Sequence, residues 1–422
     1  MPTPSPPPYV PNKRLETGRI FNGMQYRATL ETQFGTTATN DRNDPSSYVA
    51  DLTVTVKVPK PHKSLDEISK LNGRLPELLP QLPALLETAN VSPFFDDLYR
   101  LKVNALRSSL HRLDQLLSRH NFYDTETILE LQHPETKRRV LLIQSEMDVD
   151  SDGSDGDRFS EVENLSLTFQ PFTSYRWPKK TDKPNPFIAL REAKIRQYET
   201  ELAGSPAPAR AKELKTAVAE LKVEIGDLKK FSFLIGAVDP FIVLPLSMLG
   251  RNKGPFAPSI GDYCVVIHEG MLYPAIVGDA GPANKLGEAS TRICKQVNEK
   301  SSPLYRPVSD LKVTYLVFPG TGDKPFDAPD LAKWRQRCDA LLTEIGGYQG
   351  ELFVWEDLTR PTPRPTPPAA TPAPATPPAP ATPPAATQTA TPVSAEARQP
   401  SPDVALGVSL THRLPRYSRT SS

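Results

Sequence analysis

The apolar residues of this chain recur with two periods that alternate along its length. Between residues 49 and 58, Val-Ala-Asp-Leu-Thr-Val-Thr-Val-Lys-Val alternates with period two and stops at a proline, which predicts a strand. The stretch 95–120 places Leu98, Leu101, Ala105, Leu113 and Leu116 at helical spacing. Short strands are predicted at 128–131 and 140–143, then at 239–245, 262–268, 272–277 and 311–318, with Glu351–Trp355 closing the series. Between them, 188–203 and 209–230 read as helices joined by Gly204-Ser-Pro-Ala-Pro208. In the second, Leu214, Val218, Leu221, Ile225 and Leu228 step by four, three, four and three, an a/d seam. An antiparallel helical hairpin inserted into a β-rich body is the economical reading, and the same seam would serve dimerisation equally well.

The ends carry a different pattern. From Thr359 to about Pro402 the chain is a Pro-Ala-Thr repeat with almost no apolar mass, too little to offset its ordering entropy. A disordered tail with polyproline II character is expected over 359–422, and a shorter Pro-rich one over 1–12. The remaining body, about 350 residues, is long enough for a substantial core. Charge adds an exclusion: with 50 basic and 49 acidic residues, bulk charge does not point to a nucleic-acid partner. No 18-residue apolar run predicts a membrane span, and the first residues lack the apolar stretch of a signal peptide. Cys264, Cys294 and Cys338 are odd in number and lack metal-ligand spacing, so no disulfide is expected and Cys264 reads as a core residue. No Gly-x-Ser-x-Gly elbow, phosphate loop or dinucleotide fingerprint occurs, and no cofactor is expected.

Candidate chemistry concentrates in Val277-Gly-Asp-Ala-Gly-Pro-Ala-Asn-Lys-Leu-Gly-Glu-Ala-Ser290. Asp279 and Glu288 lie nine residues apart on what reads as a glycine-punctuated loop, which can bend sharply enough to bring both to one cleft. Hydrolysis of a glycosidic bond needs such a pair, one carboxyl as acid and one as base or nucleophile. The plain alternative is a surface loop followed by a helix over 289–297, with Glu288 as its first-turn glutamate, and residue types alone favour it. A second acidic run, Met147-Asp-Val-Asp-Ser-Asp-Gly153, places Asp148, Asp150 and Asp152 as an EF-hand loop places its first ligands. Position twelve is Phe159, however, and no flanking helices are predicted, so no metal is assigned. A solvated acidic turn is the plain reading.

Three segments in order carry a family resemblance: Met147–Gly153, then Asp239-Pro-Phe-Ile-Val-Leu-Pro245 with Gly261-Asp-Tyr-Cys-Val-Val-Ile267, then Gly278-Asp-Ala-Gly-Pro with Gly287-Glu-Ala-Ser. Over roughly 138–318 the chain resembles the chitosanases of glycoside hydrolase family 75, first known from fungi. The resemblance implies an endo-acting hydrolase of β-1,4-linked glucosamine that inverts the anomeric centre, with Asp279 and Glu288 as the catalytic carboxyls. It also implies that Asp148, Asp150 and Asp152 line the cleft, attracting the ammonium groups of the polymer. Lys285 and Asn284 stand in the same segment as candidates to contact sugar hydroxyls, and a solvated turn explains them equally well. Asp155 and Asp157 would add to that field. Between the two catalytic acids, the sequence leans towards Glu288 as acid and Asp279 as base.

The expected fold class is α+β: a β-rich, barrel- or sandwich-like catalytic body with an inserted helical hairpin and a disordered Pro-rich tail. The expected organisation is an N-terminal part of the body over 13–137, a catalytic region over 138–358 and a hairpin at about 187–230. The N-terminal part and the hairpin are departures from the compact fungal pattern. A polysaccharide is the expected partner, with a homo-oligomer through the hairpin as an option. A non-catalytic carbohydrate-binding or assembly module is the alternative function. Secretion is expected of a chitosanase, although no leader is seen. His268 reads as a strand-end histidine, His120 as a helix-end one, and Tyr175 and Trp177 serve either sugar stacking or core packing.

Overall fold

The computed structural model describes residues 58–110, 124–159, 169–303 and 306–359. Residues 49–57, Leu113, Leu116, His120 and the Pro-rich ends lie outside these ranges.

Ten strands are described: β1 (Asn90–Val91), β2 (Thr125–Gln132), β3 (Arg139–Asp150), β4 (Arg176–Pro178), β5 (Phe231–Phe233), β6 (Phe241–Pro245), β7 (Tyr263–His268), β8 (Met271–Gly281), β9 (Glu288–Ser290) and β10 (Val308–Val317). Eight form one sheet in the order β1-β2-β3-β10-β7-β8-β6-β9, and β9 pairs back onto β3. That last pairing closes six strands, β3-β10-β7-β8-β6-β9, into a barrel, with β2 and β1 extending one side of β3. The choice left open between sandwich and barrel therefore falls to a barrel within an α+β fold. Two junctions are parallel, β6 with β8 and β3 with β9, and the rest of the ring is antiparallel.

Side chains from all six ring strands, among them Leu141, Val313, Val266, Val277, Ile242 and Ala289, meet in one buried cluster, the inside of the barrel. The opposite face carries Val243, Val265, Ile267, Ile276 and Leu316 and is covered by helices. These are three short helices, α1 (Leu65–Leu71), α2 (Leu75–Leu78) and α3 (Leu82–Glu87), and α8 (Leu331–Glu344) near the end of the body. The sequence explains these starts: Ser64 and Glu67 form a capping box on α1, and Asp330 caps α8 by accepting from the Lys333 N–H.

The helix α4 (Pro93–Ser108) opens where expected, capped by Ser92, but buries a different stripe. Leu101 and Ala105 are only half-buried, whereas Phe94, Phe95, Leu98, Tyr99, Lys102 and Leu106 face inward. An inward lysine interrupts the hydrophobic pattern, and the predicted stripe rotated away from it.

The hairpin is present as α5 (Phe187–Ala203) and α6 (Pro208–Lys230). Arg191 pairs with Glu224 and Arg210 with Glu201, which sets the two helices antiparallel. Leu214, Val218, Ile225 and Leu228 of the predicted seam are buried, the last three against Phe187, Ile188, Ile195 and Phe233. One predicted strand is absent: 351–355 makes a single bridge, Leu352 beside Leu272. A ladder there would next need a donor from residue 274, which is proline and has none. All three cysteines are free and buried.

Candidate active site

The site is built where β6 lies between β8 and β9. In register, Val243 of β6 faces Asp279 of β8 on one side and Glu288 of β9 on the other. Glu288 in turn faces Asp148 of β3. The expectation of a loop pair is corrected here: both acids are strand residues, and Glu288 precedes the helix α7 (Thr291–Val297), whose cap is Ser290, rather than standing in its first turn.

Asp279 reaches this face through a β-bulge. Along β8, Tyr273, Ala275 and Val277 point into the barrel while Leu272 and Ile276 point away, so strict alternation would send residue 279 inward. The register slips between Ile242, opposite Val277, and Val243, opposite Asp279, which leaves Gly278 as the extra residue. The slip turns Asp279 to the face of Val243. Only glycine fits the bulge: a Cβ at 278 would stand 2.6 Å from Cβ and Cγ of Phe241 and 2.7 Å from Leu234 Cδ1. Gly281 packs similarly close to the second acid, its missing Cβ falling 2.9 Å from Glu288 Oε2.

Asp279 is held by three donors on one oxygen. Its Oδ1 accepts from the Ser174 N–H at 2.8 Å, the Ser174 hydroxyl at 2.6 Å and the Ala280 N–H at 2.7 Å. Burial nevertheless pushes its pKa up to about 6, against the pull of those bonds. The Asp150 carboxyl is raised well above the usual range, first by burial and then by the charges of Asp152, Asp279 and Glu288. Asp152 is pushed up to about 8, again chiefly by burial, with Asp279 and Glu288 adding to it. Asp150, Asp152 and Asp279 thus share one electrostatic environment, to which Glu288 adds its charge, and the titrations of the three aspartates are linked.

The connection after β3 is wound tightly behind them. Asp150 Oδ1 accepts from the Asp152 N–H at 2.7 Å, Asp152 Oδ1 accepts from the Gln170 N–H at 2.9 Å, and the Gly236 N–H donates to the Asp152 carbonyl at 2.9 Å. Gly153 has φ +98°, and a Cβ there would lie 1.7 Å from the Leu234 carbonyl oxygen, so chain and neighbour pass in direct backbone contact.

Five other acids of the region are neutralised. Asp148 pairs with Arg306 Nε at 2.5 Å, and the same guanidinium pairs with Glu146. Asp155 and Asp239 both hold Arg158: Nε to Asp155 Oδ2 at 2.6 Å, and a two-pronged pair to Asp239 at 2.9 and 2.8 Å. Arg158 also lies 5.0 Å from the ring centre of Trp177. Asp157 accepts from Lys179, Thr181 and Lys180, and although burial acts upward these bonds hold its pKa at about 2. The anticipated contribution of Asp155 and Asp157 to an attractive field is therefore corrected, because each already has its cation.

Lys285 sits half-buried between the two acids along the chain, its N–H donating to the Pro282 carbonyl, with no side-chain bond to another described residue. Tyr175 and Trp177 are buried and belong to the core, with the Tyr175 hydroxyl donating to the Asp327 carbonyl. His268 is buried at the end of β7, and burial lowers its pKa to about 4. Among the described residues no group of three or more His, Cys, Asp or Glu side chains could hold a metal ion, and no helix is long and apolar enough to cross a membrane. Sequence reasoning missed Ser174, Arg306, Arg158 and Lys102, because a lone serine or basic residue carries no motif.

These shifts fix a pH dependence of stability. Between the unfolded carboxyl pKa near 4 and the folded values of Asp152 and Asp279, the native chain holds protons that the unfolded chain has lost. Their stabilising contribution is complete below about pH 4 and is lost as pH rises through about 6 for Asp279 and about 8 for Asp152. His268, neutral when buried, contributes in the opposite sense between about pH 4 and 6.5. Above pH 6.5 the carboxyl effect remains, joined near pH 8.5 by the buried thiols, whose pKa burial also raises, so the urea midpoint should fall from pH 6.5 to 8.5, and Asp152→Asn should flatten that slope. A midpoint that rises over this range would contradict the coupling.

The barrel thus carries Asp279 and Glu288 on either side of a single strand, with Asp150 and Asp152 close enough to share their electrostatics. Residues 147–348 match the family described as fungal chitosanase of glycosyl hydrolase group 75. The resemblance drawn from the three motifs is thereby borne out: over this stretch the chain is similar to the glycoside hydrolases of that family. No curated protein matches it.

Proposed function

We propose that the protein cleaves internal β-1,4 linkages between glucosamine residues of chitosan with inversion at the anomeric carbon. The observation that carries this reading is the common register of Asp279 and Glu288 on either side of Val243. Two strand spacings separate their backbones by about 10 Å on one face. Carboxyls mounted in this way can stand roughly 6.5–9.5 Å apart, the gap an inverting enzyme needs to admit water.

Burial and hydrogen bonding support Asp279 as the acid, the reverse of the lean taken from the sequence. With Oδ1 occupied by three donors, a proton on Asp279 belongs on Oδ2, and a pKa of about 6 keeps it there in mildly acidic solution. Asp279 gives that proton to the glycosidic oxygen as the C1–O bond breaks. Glu288 takes a proton from water, whose oxygen attacks C1 from the opposite side. The carboxylate left on Asp279 is stabilised by Ser174 and Ala280, and exchange with solvent restores both groups. Asp150 and Asp152, raised chiefly by burial, ionise on meeting the ammonium groups of the polymer and pair with them.

The test is the anomer first released. Proton NMR of chitosan in the first moments of hydrolysis should show α reducing ends, with β forms appearing later by mutarotation. Initial β ends would overturn inversion. Cleavage of chitin or another polymer with none of chitosan would overturn the substrate.

A further inference from the structure

We propose that Lys102, which lies before the family-matched region, is a positioning residue for the catalytic carboxyls. The inference rests on the proposed roles of Asp279 and Glu288. Lys102 projects from α4 into the interior, where its side chain is 1% exposed and its Nζ meets Asp124 Oδ2 at 2.5 Å. The same nitrogen donates to the Asn284 carbonyl oxygen at 2.6 Å. Asn284 belongs to the segment that joins Asp279 to Glu288 in sequence, so a cation from the N-terminal part of the body grips the connection between the two acids.

The rest of that connection is fastened at its ends. The Leu246 N–H donates to the Gly281 carbonyl at 3.1 Å, the Ser247 hydroxyl to the Ala283 carbonyl at 2.8 Å, and the Asp148 N–H to the Gly287 carbonyl at 2.6 Å. Asn284 is the middle of the span, and among these anchors only Lys102 brings a charge. A charged donor to a carbonyl makes a stronger bond than a neutral one, and a shift of one ångström at a catalytic group can cost about a hundredfold in rate. Lys102 thus gives α4 a purpose that its hydrophobic stripe does not explain: it completes the site from outside the region the family match covers.

Lys102→Met alone strands the buried Asp124 charge and can fail to fold, so the informative variant is Lys102→Met with Asp124→Asn, which removes both charges at similar volume. The control is Asp124→Asn, whose amide oxygen still accepts from the buried Lys102 ammonium and which leaves the bond from Lys102 to Asn284 in place. Two readouts apply to the full chain. Amide hydrogen exchange over 282–287 should accelerate at least tenfold in the double variant and stay within twofold of the parent in the control. On chitosan, kcat should fall at least tenfold in the double variant with KM within threefold, while the control keeps most of the parent's rate. Unchanged exchange in the folded double variant, or equal losses in both variants, would overturn the proposal. The exchange measurement judges Lys102 even if chitosan proves not to be the substrate, so failure of the positioning idea and of the proposed function are told apart.

Discussion

Asp279→Asn and Glu288→Gln should each lower hydrolysis of soluble chitosan by about 10²–10⁴-fold, the usual worth of a positioned acid or base. Both changes conserve volume, and both sites lie at strand positions whose pairing is made by backbone. At 279 the amide oxygen can still accept from Ser174 and Ala280, so the bulge at Gly278 keeps its bonds while the proton to be donated is gone. At 288 the amide cannot take a proton from water. Because the two groups act in one step, the double variant should lose little more than the worse single one. Retention of more than a tenth of the parent rate in either folded variant would remove that residue from the mechanism.

The second large effect is on stability. Arg158→Met should destabilise the body by about 3–5 kcal/mol, because it leaves Asp155 and Asp239 buried without their cation. Both acids are almost fully buried, and Asp239 also accepts from the Ile235 N–H at 2.8 Å, which ties Arg158 to the turn whose Gly236 bonds Asp152. Arg158→Lys should recover little of the loss, since an ammonium cannot reproduce the two-pronged pair to Asp239 while also reaching Asp155. Urea unfolding of the three proteins checks this, and a loss under about 1 kcal/mol for Arg158→Met would mean that solvent or a neighbour relieves the stranded acids.

The sequence reported those elements whose side chains obey one period. The hairpin was legible nearly to its ends because its seam is apolar throughout, and the strands over 239–277 were legible because they are buried on both faces. Asp279 and Glu288 were found through motif spacing, but their setting was not, since a bulge at Gly278 and the pairing of β9 with β3 are long-range facts. The same is true of Asp148, which reads like Asp150 and Asp152 until Arg306, far along the chain, turns out to neutralise it. Lys102 was invisible for a related reason: an inward lysine breaks the hydrophobic stripe from which helices are read, and its partners Asp124 and Asn284 stand 22 and 182 residues away.

The most direct test of the account is the release of reducing ends from soluble chitosan by the purified parent protein, run beside Glu288→Gln. Steady release by the parent that collapses in the folded variant is the predicted result. A folded parent that binds chitosan but releases no ends, with binding unchanged in Glu288→Gln, would contradict it and leave a carbohydrate-binding module in place of an enzyme.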